Sequence, residues 1–267
     1  RRRREAARVF ACVLRPDHNL PGAPRGRLPF ELSIGEPLAD YPVVAFALSL
    51  LDFSCKGIPF EDMSRLIRSP FLDGAEEEMA ARARLDARLR REAGAEIALP
   101  KLIGMVGENL SLRLILESLF NKAKEKKGQL FSPHDWAQHV SALLETAGFP
   151  GERTADSAEF QVRAKFNEVL GELARLSLVA ATISFPEALR QLRRLCAETL
   201  FQPEGVGAPV QVLGLIESFG IEFDALWVSG LTDGAWPQHV HAEPFLPVAL
   251  QRQAGVPEAS AEASLAL

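Results

Sequence analysis

The stretch Ser132-Pro133-His134-Asp135-Trp136-Ala137-Gln138-His139-Val140-Ser141-Ala142-Leu143-Leu144-Glu145-Thr146-Ala147-Gly148 decides the fold class. Ser132 can cap free backbone amides, Pro133 suits a first helical turn, and Asp135 supplies an acid in that turn. Trp136, Val140, Leu143, Leu144 and Ala147 then recur at i, i+4, i+7, i+8 and i+11, one apolar stripe, until Gly148 and Pro150-Gly151 end it. The pattern predicts an amphipathic helix with a start, a buried face and a stop.

The same grammar extends outward. A helix from about Ser157 places Val162, Phe166, Val169, Leu170 and Leu173 on one face, and Ser184 with Glu187 repeats the cap before a stripe of Leu189, Leu192, Cys196 and Leu200. Upstream, Tyr41 to Phe53 is apolar on nearly all sides, the mark of a buried helix. Arg1 to Leu14 reads as a basic helix, cut off by the Pro- and Gly-rich run from Pro16 to Gly26, and Leu28 to Ile34 reads as a short strand. After Gln202-Pro203-Glu204-Gly205-Val206-Gly207 the character changes. Pro209 to Gly214 and Asp224 to Gly230 are short β-rich runs bounded by glycine, expected to be buried strands of an α/β sheet. Leu246 to Gln253 is a last short helix. The expected fold is therefore mainly α with a smaller α/β part. Residues 1–34 form an arm, linker and strand, 35–203 a helical domain, and 204–267 a partial α/β segment with a tail.

Composition narrows the function. The chain has 267 residues, 47% of them hydrophobic and 24% charged, which suits a packed globular body. The longest run without a charged side chain, Gly205 to Ile216, is too short to span a membrane. Cys12, Cys55 and Cys196 are odd in number and far apart, so neither a disulfide framework nor a zinc cluster is expected, and a reducing cytoplasm is the expected compartment. The net charge of −5 argues against a polyanion binder of the histone kind, so any nucleic-acid contact is local. The start at Arg1-Arg2-Arg3-Arg4, without methionine, suggests a fragment of a longer protein.

Catalytic constellations are sparse. A phosphate-binding loop needs lysine directly after its last glycine, and no Gly-Lys pair occurs in the chain. Asp17 with Glu125-Lys126-Lys127 superficially spells a metal-dependent nuclease, but the second part lies in a helical run and reads as a solvated helix end. Glu222 and Asp224 lack a partner base, and His239 with His241 offers two metal ligands where more are needed. No cofactor is expected. His18, His134 and His139 have no convergent partners in sequence. For nucleic acid, cations cluster at Arg1 to Arg4 with Arg8, at Arg82 to Arg91, at Lys122 to Lys127, and at Arg190, Arg193 and Arg194, although each also looks like an ordinary solvent-facing helix.

One segment is more specific. Val210-Gln211-Val212-Leu213-Gly214-Leu215-Ile216-Glu217-Ser218-Phe219-Gly220-Ile221-Glu222-Phe223, continuing to Gly230, Gly234, Trp236 and Pro237, resembles a motif of superfamily 1 helicases of the UvrD type. There a strand leads into a loop T-x-H-x-x-K-G-L-E-[FW], and a second strand ends in Gly-x-x-x-Gly-x-[FW]-Pro. The resemblance implies the second RecA-like domain, whose loop contacts the DNA backbone and, through its glutamate, the nucleotide ribose. Gly220, Glu222 and Phe223 match the pattern. Ile216 stands in place of the DNA-contacting histidine, and Phe219 in place of lysine.

The helical part is similar to the insertion that interrupts this domain in the RecB and AddB branch. The similarity is carried by Leu32 to Leu38, Phe60 to Leu72, Ser132 to Trp136, Phe201 to Glu204, and Pro244 to Pro247 with Gln251-Arg252. The resemblance implies a degenerate helicase-like region of a DNA repair exonuclease, ahead of a PD-(D/E)xK nuclease domain that lies outside this chain. On that basis Gly220 and Glu222 are a nucleotide-binding remnant, and Ser218, Phe219, Arg68, Arg193 and Arg194 are candidate DNA contacts. The implied partners are DNA, as a single strand or duplex end, and a helicase-nuclease subunit. The expected role is non-catalytic guidance of DNA. The alternatives are a scaffold that docks a partner helicase without touching DNA, and an active lobe completed by segments upstream.

Overall fold

The computed structural model describes residues 2–18, 20, 28–33, 35–107, 111–204, 207–214, 216–218, 220–230, 232 and 241–260. These form a mainly helical protein with small two-stranded sheets. The chain runs α1 (Arg2–Leu14), β1 (Phe30–Leu32), β2 (Glu36–Pro37), α2 (Pro42–Cys55), β3 (Ile58–Pro59), α3 (Phe60–Ile67), α4 (Met79–Glu92), β4 (Glu96–Ile97) and α5 (Leu99–Met105). It continues through α6 (Ser111–Glu125), β5 (Leu130–Phe131), α7 (Pro133–Thr146), α8 (Ser157–Arg175), β6 (Ile183–Ser184), α9 (Phe185–Glu198), β7 (Leu200–Phe201), β8 (Val210–Val212) and α10 (Val248–Gln253). Two compact units divide it, Arg1–Glu217 and Ser218–Leu267.

The helix starts obey local chemistry. The Ser132 side chain accepts from the Asp135 amide at 3.1 Å and donates to the Asp135 carboxylate at 2.6 Å, two bonds across one helical turn. That donated bond holds the Asp135 carboxyl below its ordinary range. Asp156 caps α8 through the Glu159 amide and Ser184 caps α9 through the Glu187 amide. Gly148 and Gly151 end α7 with positive φ, where a side chain at Gly151 would strike the Pro70 carbonyl.

The core is built around α2, which packs against α3, α6, α7, α8 and α9. Val43, Val44, Phe46, Ala47, Leu48, Leu50, Leu51 and Phe53 are all buried, as a helix apolar on every side requires. Onto it pack Val140, Leu143 and Leu144 of α7, Val162, Phe166, Val169 and Leu173 of α8, and Leu189, Leu192 and Cys196 of α9. Burying each large side chain contributes about 1.5–3 kcal/mol. Leu200 is the exception to its expected stripe. α9 stops at Glu198, and Leu200 enters β7 and is exposed, because its alternating strand position faces away from the core.

The tiny ladders clamp helix starts in pairs. β3 leads into α3 and pairs antiparallel with β4, just ahead of α5, while β5 leads into α7 and pairs antiparallel with β6, which leads into α9. Two further ladders hold the ends of the helical body together. β2 pairs antiparallel with β7, and β1 pairs parallel with β8 in the register Phe30↔Val210, Glu31↔Gln211, Leu32↔Val212. Gly35 permits the first approach, since a Cβ there would sit 2.9 Å from the Phe201 carbonyl oxygen. The Tyr41 hydroxyl donates to that same oxygen.

The second unit contains α10. The buried Gln251 side chain accepts from the Glu243 amide and donates to the Glu243 and Leu246 carbonyls, closing a turn ahead of the helix. The expected strand at Asp224–Gly230 does not form. A strand needs a ladder partner to satisfy its backbone, and none occurs among the described residues of this unit; Leu226, Trp227 and Val228 are exposed instead of buried. Among the described residues no helix is long and apolar enough to cross a membrane.

Candidate functional site

The arginines singled out as DNA contacts lie in the first unit and are engaged to different degrees. Arg193, on α9, reaches across to α2, where its guanidinium meets the Asp52 carboxylate at 2.6 Å and donates to the Leu48 carbonyl at 3.0 Å. It therefore ties two core helices. Arg68, at the end of α3, donates to the Ser64 carbonyl and hydroxyl, each at 3.1 Å, and lies 3.7 Å from Asp86 of α4. Asp86 is buried and also holds Arg90 at 3.1 Å, so one carboxylate on α4 gathers two cations. Arg194 is the freest of the three, 60% exposed, with only Glu198, at 3.8 Å, as an ion-pair partner among the described residues.

The Arg82 to Arg91 run is not uniformly solvent-facing. Arg82 is 1% exposed, pairs with Glu78 at 3.0 Å and donates to the Asp73 carbonyl, with Nη1 unpartnered among the described residues. It is buried because the Gly74 turn folds back over α4 and offers it acceptors. Glu78 in turn accepts from the Ser111 and Leu112 amides and so caps α6. Burial opposes its ionisation, but the bonds from Ser111 and Arg82 prevail and hold its carboxyl below the ordinary range.

The motif loop begins in the first unit and runs on into the second. Ser218 ends a 3-10 turn and its carbonyl accepts from the Ile221 amide at 3.4 Å, Gly220 has φ +75°, and Glu222 is exposed. Phe219 lies outside the described residues, as do Gly234, Trp236, Pro237 and His239. One residue within the loop was not singled out by the sequence. Glu217 accepts from the Ser33 hydroxyl and, at 2.8 Å, from the Gly214 amide, linking the chain after β1 to the chain after β8. Those two bonds lower its carboxyl from the ordinary value.

Two concave places stand out among the described residues. A mixed-charge groove of about 570 Å³ is lined by Asp52, Lys56, Asp62, Glu96 and Arg193. A more apolar cavity of about 450 Å³ is lined by Phe120, Ala123, Trp136, His139 and Phe185, with Lys124 and Lys127 also on its lining. The Trp136 indole donates to the Ile183 carbonyl at 2.8 Å and packs against Phe131, Phe185 and His139. His139 is buried, and desolvation, reinforced by Lys126 and Lys122, pushes its pKa down to about 4, so the ring is neutral at pH 7. Sequence reading had the lysines, Trp136 and His139 as separate features. The signal joining them is the return of the chain through Gly128 to β5, which brings the end of α6 against the start of α7. Among the described residues no three His, Cys, Asp or Glu side chains gather as a metal site.

No family model matches this chain, and no curated protein or solved structure matches it.

Proposed function

We propose that this chain is the non-catalytic, helicase-like region of a DNA repair exonuclease of the AddB kind: a helical insertion with part of a degenerate RecA-like domain. In this role it guides DNA, as a single strand or a duplex end, towards a nuclease domain outside the chain. The observation that carries the reading is the parallel pairing of β1 with β8. Ser33 and Val212, 179 positions apart, are joined by a hydrogen bond, and nearly the whole helical body lies between them. Parallel strands need a crossover, and a helical body hung between two neighbouring parallel strands is what an insertion into an α/β sheet produces. The resemblance of residues 210–223 to the helicase motif supports the same kind of sheet, although the motif's second strand does not form at 224–230.

The chemistry agrees with a passive role. The chain has no Gly-Lys pair to hold a nucleotide phosphate, and Ile216 and Phe219 replace the polar handles of the motif. DNA would be held by exposed cations such as Arg194, through phosphate contacts that position a strand without reading its sequence. The test is ATP hydrolysis by the chain with and without single-stranded DNA, beside a Glu222→Ala variant. No DNA-stimulated turnover is expected; turnover abolished by that variant would overturn the non-catalytic reading.

A second reading, a scaffold docking a partner helicase subunit, is favoured by one observation. Arg193 and Arg68, two of the candidate phosphate contacts, are already engaged by Asp52 and Asp86. Salt dependence separates the two, because phosphate binding weakens steeply with salt and an apolar interface does not.

A further inference from the structure

The cavity between the end of α6, the start of α7 and the start of α9 carries features that the DNA reading leaves unused. Its volume, about 450 Å³, lies in the roughly 300–1,000 Å³ range of ligand pockets. Phe120, Ala123, Trp136 and Phe185 make most of its lining apolar. His139 also lines it. This imidazole is 4% exposed and packs at 5.6 Å from both Trp136 and Phe185, yet neither ring nitrogen bonds another described residue. Its ring nitrogens are not among the wholly buried unpartnered atoms, so they keep access to space outside the packed core and are open to a ligand's hydrogen bond.

The rim adds charge. Lys122 is paired with Glu125 at 3.0 Å, and the Lys126 ammonium lies 4.6 Å from the Phe131 ring centroid and donates to the Asp135 carbonyl. Lys124 and Lys127 are exposed and make no ion pair among the described residues. Beside them Leu130, an apolar side chain on the same lining, is 63% exposed. The site thus combines an apolar cavity, one buried hydrogen-bonding group and two uncommitted cations.

We propose that this cavity takes the side chain of a tyrosine carried in an acidic segment of a partner protein. The phenol ring fills apolar space, its hydroxyl bonds a His139 nitrogen, and neighbouring carboxylates face Lys124 and Lys127. A nucleobase fits less well. Its edge carries several donors and acceptors, of which this cavity would satisfy one through His139 and desolvate the rest. The occupant does not depend on whether the chain contacts DNA elsewhere.

The probe is a fluorescein-labelled, acetylated heptapeptide, Asp-Glu-Asp-Tyr-Asp-Glu-Asp, titrated with the full chain by anisotropy, beside the same peptide with phenylalanine in place of tyrosine. Saturable binding of the tyrosine peptide is expected. His139→Leu should weaken it about tenfold and leave the phenylalanine peptide unchanged, since only the hydroxyl loses a partner. Lys124→Ala with Lys127→Ala, at exposed positions that leave the helical circular dichroism intact, should weaken binding and flatten its salt dependence. If His139→Leu does not fold, the tyrosine-to-phenylalanine ratio on the unaltered chain decides. No saturable binding to the folded chain, or equal affinity for the two peptides, would overturn the assignment. So would a single-stranded oligonucleotide whose binding is lost when Ala123→Phe fills the cavity, because the occupant would then be nucleic acid.

Discussion

Arg193→Ala removes two interactions that join α9 to α2: the 2.6 Å pair with Asp52 and the 3.0 Å bond to the Leu48 carbonyl. The Arg193 side chain is 43% exposed and that of Asp52 19%, so solvent screens the pair and it contributes about 0.2–1 kcal/mol. The bond to the carbonyl adds about 0.5–1.5 kcal/mol net. Together the loss is about 1–2 kcal/mol. For a body of this size that lowers Tm by about 2–8 °C, at roughly 2–4 °C per kcal/mol. Thermal melts of the unaltered chain, Arg193→Ala, Asp52→Ala and the double variant form a cycle that isolates the pair, even though Asp52 also meets Lys56 at 3.4 Å. A coupling of about 0.5 kcal/mol is expected. An unchanged Tm for Arg193→Ala, together with zero coupling, would refute Arg193 as a tie between helices and return it to the pool of free phosphate contacts.

Four further outcomes follow from the same geometry. His139 is held neutral by burial, with a pKa near 4 against an ordinary 6.5, so between those values the unfolded chain binds more protons and stability falls as pH drops from about 6.5 to about 4. The loss should be about 1–3 kcal/mol, allowing for screening through the open cavity, and denaturant melts at pH 7 and pH 4.5 should show His139→Leu losing less than the unaltered chain. Phe166→Ala, at a site 1% exposed, should cost about 3–5 kcal/mol in chemical denaturation. Ser132→Ala removes the cap of α7 and should cost about 1 kcal/mol in the same assay. Titration with a chromophoric disulfide reagent at pH 8 should modify exposed Cys12 quickly and leave Cys196 intact until the chain unfolds. Cys196 is fully buried, and burial pushes its thiol up to about 12.

What the sequence made legible was whatever depends on near neighbours. The caps at Ser132 and Ser184, the stripes of α7 and α8, the buried α2 and the stop at Gly148–Gly151 all follow from residues within a few turns of one another. The strand at Leu28–Ile34 was legible too, but its parallel pairing with β8 was not, because the two strands lie far apart in the chain. What failed depended on distant groups. Arg82 looked solvent-facing because its acceptor, the Asp73 carbonyl, is a backbone atom placed by a turn. Arg193 looked free because Asp52 lies on another helix. Asp224–Gly230 has strand composition without a strand beside it among the described residues. His139 lacked a partner in sequence and has no hydrogen-bond partner among the described residues; its burial against Trp136 and Phe185 is visible only once α7 and α9 pack.

The most direct measurement is the salt dependence of single-stranded DNA binding by the folded chain, compared with Arg194→Ala, an exposed change expected to move stability by no more than about 0.5 kcal/mol. If the chain guides DNA through phosphate contacts, log K should fall linearly with log salt, and Arg194→Ala should make that slope shallower by about 0.7. Absence of binding by the folded chain, or binding that is indifferent to salt and to Arg194, would contradict guidance of DNA and leave the docking scaffold as the reading to pursue.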